Sequence, residues 1–284
     1  MNESPALQHF ILTRFNLLLW KKDKEGDSVR TREWLEHRFW LFEKYCLPSV
    51  INQTCNRFEW IVLFDSSTPD YFKDKISVFQ AKCPQLKPVF VQPEKGRLFA
   101  EIFRQEVLKR QIAPRVITTY LDNDDALNTR FVEDVQKRAG EVQTVTFFNY
   151  THGYQFYTDY KYLLQVHYPR NHFVSVVENG TTSMVKTIYG FGSHYYIDRI
   201  NNVKIERVEN DPMWCEVIHE RNMGNDAYFL LGTQMIGDRG LLRARFGINE
   251  DVESGTGVYL FRFLPRYIRT FFRRVKYFFF GRHW

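Results

Sequence analysis

Apolar residues follow two rhythms along this chain, and the rhythms alternate. His9-Phe10-Ile11-Leu12-Thr13-Arg14-Phe15 reads as a strand that runs out into a polar loop. Leu35, Phe39, Phe42 and Cys46 then recur at spacings of three and four, which predicts an amphipathic helix from about Thr31 to Cys46, closed by Pro48. Phe58 to Phe64 is a short apolar run stopped by Asp65-Ser66-Ser67-Thr68-Pro69, a buried strand followed by a turn. Helices are predicted around Tyr71 to Lys82 and Leu98 to Gln111, and strands near Pro88 to Val91 and over Val116 to Leu121. Strands alternating with helices over residues 1–127 predict an α/β fold, a mixed but mostly parallel sheet flanked by helices. Such sheets bind ligands beyond the carboxyl ends of their strands, so Arg14, Asp65 and Asp122 are expected on one edge.

From about 140 to 200 the texture changes. Val142 to Tyr150 and Phe173 to Val177 look like strands, joined by segments rich in Tyr and His. The aromatics from Tyr150 to Phe156 suit core packing first and stacking on a sugar ring second. Gly255-Thr256-Gly257 is a joint before a distinct tail, 258–284. There Pro265 is placed to open a helix in which Tyr267, Ile268, Phe271, Phe272, Val275, Phe278 and Phe279 share one side and Arg266, Arg269, Arg273 and Lys276 the other.

Charge sharpens that division. The tail holds seven Lys or Arg and no acid, so the net charge of +6 resides there and the first 257 residues carry 32 basic against 33 acidic side chains. A body of that balance is not a general nucleic-acid binder. A basic aromatic helix is instead suited to an anionic membrane surface. The 44% apolar and 17% aromatic content excludes a disordered chain. No apolar run is long enough to span a bilayer, the start MNESPALQHF lacks a secretory pattern, and the four cysteines lack ligand spacing. A cytoplasmic protein, peripheral on the inner face of the cell membrane, is the expectation.

The candidate chemistry sits in Asp122-Asn123-Asp124-Asp125, directly after a β-branched strand. Three carboxylates in four positions repel one another unless a cation or basic group compensates. Hard oxygen donors at a strand end suit Mg²⁺ or Mn²⁺ held with substrate phosphates; the plainer reading is a turn with capping Asp residues.

Phe10-Ile11-Leu12-Thr13-Arg14-Phe15-Asn16, Leu47-Pro48-Ser49-Val50, Asn52-Gln53-Thr54, Trp60 to Asp65, Leu121 to Leu127 and Pro212-Met213-Trp214 through His219 occur in that order. Together they resemble the rhamnosyltransferase family of bacterial glycosyltransferases, over roughly residues 9 to 225, with LDNDDAL the most specific segment. Tyr120 stands where that family usually has Arg. The resemblance implies a GT-A fold with a nucleotide-sugar-binding half (about 1–127) and an acceptor half (128–257). It implies that Asp122 and Asp124 hold a divalent metal (Mn²⁺ or Mg²⁺), with His219 as a late ligand. Arg14, Asp65, Asp122, Asn123 and Asp125 would meet the nucleotide-sugar donor. An inverting reaction would take a general base from Asp211, Glu216 or His194, whereas a retaining one would need no base there, and the sequence does not choose between them. The acceptor would be a surface glycan or lipid-linked saccharide. A metal-dependent phosphohydrolase or nuclease, and a non-catalytic glycan-binding protein at the membrane, are the competing classes.

Overall fold

Gln8–Arg14 forms the first strand, β1, and its five inner residues from His9 to Thr13 are all buried, as befits a strand covered on both faces. The computed structural model describes residues 6–19, 31–180, 185–200, 203–209, 211–219 and 234–253, with isolated positions from 255 to 275. After β1 come α1 (Arg32–Leu41) and α2 (Leu47–Ile51), then β2 (Glu59–Asp65), α3 (Asp70–Lys82), β3 (Leu86–Val91), α4 (Phe99–Arg110) and β4 (Arg115–Tyr120). The chain continues through β5 (Ala126–Leu127), α5 (Phe131–Glu141), β6 (Thr146–Tyr150), β7 (His152–Tyr157), β8 (Tyr162–His167), β9 (Val174–Asn179) and α6 (Thr187–Gly190). Last are β10 (Lys204–Val208), β11 (Trp214–Ile218), β12 (Gln234–Ile236) and α7 (Leu241–Phe246).

Among the described residues, seven strands make the main sheet in the order β10-β6-β9-β4-β1-β2-β3. β3, β2, β1 and β4 run parallel, and β9 is antiparallel to both β4 and β6. The chain leaves β1 outward to β2 and β3, then returns to place β4 on the other side of β1. That reversal makes the gap between β1 and β4 the topological switch point, where a crevice opens beyond the strand ends. The mostly parallel, helix-flanked sheet expected from the apolar pattern is therefore present. It also takes β6, β9 and β10 from beyond residue 127, so the sheet spans both halves of the sequence. A second sheet, β12-β8-β7-β11-β5, packs its Tyr154, Phe156, Cys215 and Val217 against α7 residues Leu242 and Phe246. Tyr150, Tyr154 and Phe156 are thus core residues.

The first helix departs from its expected end. Pro48 has no amide hydrogen to offer four residues back, and its ring crowds that carbonyl. The helix does not stop; it widens into a π-helical segment, Phe42–Cys46, where Leu47 N–H bonds the Phe42 carbonyl, and resumes as α2. Thr31 caps the other end through its hydroxyl to Trp34 N–H.

Most of the 258–284 tail, including Arg262, Arg266, Arg273, Arg274, Lys276, Arg282 and Phe278 to Phe280, lies outside the described residues. Among its described positions, Phe261 and Phe272 are 78% and 64% exposed. Among the described residues no helix is long and apolar enough to cross a membrane.

Candidate functional site

The parallel pairing of Leu12 with Tyr120 sets the ends of β1 and β4 side by side, and that register brings Arg14 to the acidic loop. Arg14 donates to the Tyr120 hydroxyl (2.6 Å), which in turn donates to Asp122 (2.9 and 3.0 Å); the guanidinium itself is 3.5 Å from Asp122. Rings of Phe99, Tyr120 and Tyr189 surround the guanidinium at 4.9, 5.6 and 5.3 Å. Although burial opposes its charge, Tyr120, Tyr189 and Asp122 raise its pKa further, and it remains a fixed cation.

The four residues of the loop have separate fates. Asn123 points back and donates to the Arg14 and Phe15 carbonyls (3.0 and 2.7 Å), bracing the end of β1. Asp124 is buried and accepts from Arg38 of α1 (2.6 Å) and from His219 (3.0 Å). Burial opposes charge on Asp124, but Arg38 and His219 outweigh it and hold this carboxylate well below the usual range. Asp125 is fully buried; it accepts from Val217 N–H (2.9 Å) and from His172 Nε2 (2.8 Å). Burial pushes the Asp125 carboxyl up, to about 8, against the pull of His172. Burial disfavours a charged His172 as well, yet the Asp125 contact raises it to about 9, so the pair retains a proton at neutral pH. Asp122 alone keeps an open side, with its side chain one-third exposed.

Asp122, Asp125 and His172 bring one donor atom each to within 4.8 Å of one another. The donor set fits a small divalent cation. Octahedral bonds of about 2.1 Å set neighbouring donors about 3 Å apart and opposite ones about 4 Å apart. The observed separations are 2.8 Å from His172 Nε2 to Asp125 and 3.9 Å to Asp122. Two carboxylates and one imidazole suit Mn²⁺ chemically, and exposed Asp122 leaves room for substrate oxygens. Beside this group, a cavity of ≈ 360 Å³ opens at the switch point, lined by Arg14, Phe99, Tyr120, His172, Tyr189 and Ser193.

The sequence expectation grouped Asp122, Asp124 and His219. The structure joins Asp124 and His219 to each other and to Arg38, and sets Asp122 with Asp125 and His172 instead. Asp65 accepts from Ser67 N–H (2.8 Å) in the turn after β2 and lines a recess of ≈ 210 Å³ with Asn16 and Trp34. Of the base candidates, Glu216 is buried on β11, where Gln155 donates to it at 2.6 Å. Burial pushes its pKa up, and it feels the charges of His172, Asp124 and Asp122. Asp211 stands apart: its side chain is 72% exposed, and among the described residues its ion pair is with Arg245 at 3.7 Å. His194 opens a 3-10 turn, His194–Arg199, and its side chain lies outside the described residues.

Two participants had escaped the sequence reading. Arg38 did carry a signal: it sits three residues from Leu35 and four from Phe42, on the apolar stripe of α1, where a buried cation needs a buried partner. His172 had none, being one of eight histidines and 47 residues from its partner Asp125.

Residues 8–228 match the family model described as "Putative rhamnosyl transferase". No curated protein matches the chain significantly. Solved structures similar to it include TarS of S. aureus, at 11% identity and TM-score 0.39, with 74% of this chain and 37% of that one covered. TarS 1–349 in complex with UDP is 12% identical at TM-score 0.36, with 74% and 60% covered. The inositol-1-phosphate CTP transferase of T. maritima is 11% identical at TM-score 0.37, with 75% and 90% covered. The chain thus spans little more than a third of the length of that TarS chain. The family match takes in the whole main sheet, the acidic loop, His172 and His219, and so the chain belongs to the rhamnosyl transferase family.

Proposed function

We propose that this protein is a metal-dependent glycosyltransferase that moves a sugar, rhamnose by the family's name, from a nucleotide donor to a saccharide acceptor. The observation that carries the reading is the Asp122–Asp125–His172 group at the switch point of the main sheet. Asp122, Asp125 and His172 would hold Mn²⁺ or Mg²⁺, whose chemistry is to neutralise the charge that gathers on the departing nucleoside diphosphate. Arg14, fixed by Tyr120 and enclosed by aromatic rings, faces the same cavity and offers a second positive charge to the phosphates. In the transfer, the acceptor hydroxyl oxygen bonds to the anomeric carbon as the bond from that carbon to the diphosphate oxygen breaks. The hydroxyl proton must pass to a base, and we assign that role to Glu216, which the fold holds buried beside the acidic loop. The cationic tail, with exposed Phe261 and Phe272, supports work on a lipid-linked or surface-glycan acceptor at the cytoplasmic face of the membrane.

Thermal unfolding with a panel of nucleoside diphosphates, with and without Mn²⁺, tests the donor site. A nucleotide at about a hundred times its Kd should stabilise the protein by about 2.7 kcal/mol, and only when the metal is present. If no nucleotide shifts the transition in the presence of Mn²⁺, the glycosyltransferase reading fails. For the tail, loss of co-sedimentation with anionic vesicles in a chain ending at residue 257 is the expected result; equal sedimentation would remove it as the anchor.

A further inference from the structure

A second opening, ≈ 710 Å³, is lined by His219 and lies where α1, the π-helical segment, α3 and the β7–β8 turn meet. It exposes Trp40 at 45% and Tyr71 at 56%, although large aromatics are ordinarily placed where their faces are covered. Lys44 Nζ sits 4.6 Å from the Trp40 ring centre and 2.6 Å from Glu250, while Lys75 lies 5.3 Å from the Tyr71 ring. The π-helical widening that Pro48 imposes is the segment that carries Lys44. The groove leads inward: Trp40 stacks on His37 (5.8 Å), His37 meets His219 edge-on (5.3 Å), and His219 donates to Asp124.

We infer that this groove binds the acceptor, a neutral oligosaccharide, with its sugar rings on Trp40 and Tyr71. The inference rests on the donor site proposed above. With the donor diphosphate at Arg14 and Asp122, the acceptor must reach the anomeric carbon from another side, and this groove ends on the α1 side at His219, the hydrogen-bond partner of Asp124 in the acidic loop. Its chemistry matches a saccharide. Aromatic faces take the C–H faces of pyranose rings, and Lys–Glu pairs around them supply donors and acceptors for hydroxyls. The lining holds three lysines (Lys44, Lys75, Lys161) against three acids (Glu36, Asp159, Glu250), a balance that favours an uncharged glycan over a phosphate-rich one.

Binding of the full-length protein to a printed array of bacterial surface-glycan fragments, in parallel with Mn²⁺-dependent stabilisation by nucleoside diphosphates, tests this. The wild-type protein should retain neutral fragments, and Trp40→Ala and Tyr71→Ala should each weaken that retention about tenfold. Both side chains are half exposed, so neither substitution empties the core. A wild-type protein that responds to nucleotide and metal yet binds no fragment, binds only anionic ones, or binds equally well without Trp40 and Tyr71 overturns the groove assignment alone. Absence of the nucleotide response overturns the donor site instead.

Discussion

The three strands that bring Arg14, the acidic loop and His172 together are joined beneath the site by a buried polar chain: His9 of β1 pairs with Thr119 of β4 (2.7 Å), and Thr119 with Ser175 of β9 (2.6 Å). His9 is fully enclosed, its Nδ1 has no hydrogen-bond partner among the described residues, and burial drives its pKa from 6.5 down to about 3. The folded chain therefore refuses a proton that the unfolded chain accepts below pH 6.5. The stability His9 contributes by staying neutral is complete above pH 6.5 and drains away as pH falls toward 3. With those two pKa values, the loss attributable to His9 is about 0.7 kcal/mol between pH 7 and pH 6, and about 2 kcal/mol by pH 5. His9→Gln keeps a polar partner for Thr119 and removes the titration. Urea unfolding of both proteins at pH 7, 6 and 5 should give a wild-type stability that falls about 2 kcal/mol more steeply than the variant's. Other titrating groups, including raised His172, are common to both and cancel in the comparison. Parallel pH profiles for the two proteins would refute the argument that His9 is held neutral.

Three further perturbations probe the site. Arg38→Met keeps the stem but strips buried Asp124 of its cation, and should cost about 3–5 kcal/mol by thermal or urea unfolding; restoring part of that loss with Asp124→Asn in the same chain is the expected rescue, and no rescue would mean the pair is not what stabilises α1. At Gly153 a Cβ would fall 2.1–2.3 Å from the Trp214 ring, which is pinned by its Nε1–H to the Tyr150 carbonyl and stacks on Phe173, itself stacked on His172. Gly153→Ala should destabilise by about 1–3 kcal/mol and also weaken Mn²⁺ binding, read by electron paramagnetic resonance; an unchanged metal affinity would uncouple that stack from the site. His172→Ala should lower Mn²⁺ affinity by at least about tenfold with the circular dichroism spectrum retained, whereas His219→Ala should have the smaller effect on the metal; the reverse order would return the metal to Asp124 and His219.

Much of this was legible in the chain. Apolar runs and three-four spacings mark β1, α1, β2 and β4 because a buried strand and a one-sided helix each impose a period on the sequence. Once those strands are parallel, Arg14 and Asp122 must share an edge, and clustered carboxylates at a strand end announce a need for positive charge. What the sequence left open is which charge each carboxylate receives. Asp122, Asp124 and Asp125 are near neighbours with the same chemistry, and only the turn of the backbone sends one toward solvent, one to Arg38 and His219, and one to His172. His172 comes from the loop before β9, a strand that enters antiparallel between β4 and β6, and no local period encodes that pairing. The sequence by itself determined the alternating strands and helices up to Tyr120, apart from the passage of α1 through Pro48, and the presence of an acidic edge, because those follow from neighbours a few residues apart. The tertiary structure alone decided which partner each carboxylate meets and that Asp122, Asp125 and His172 share one cluster, because such a cluster is a meeting of side chains brought together by strand order across long sequence separations.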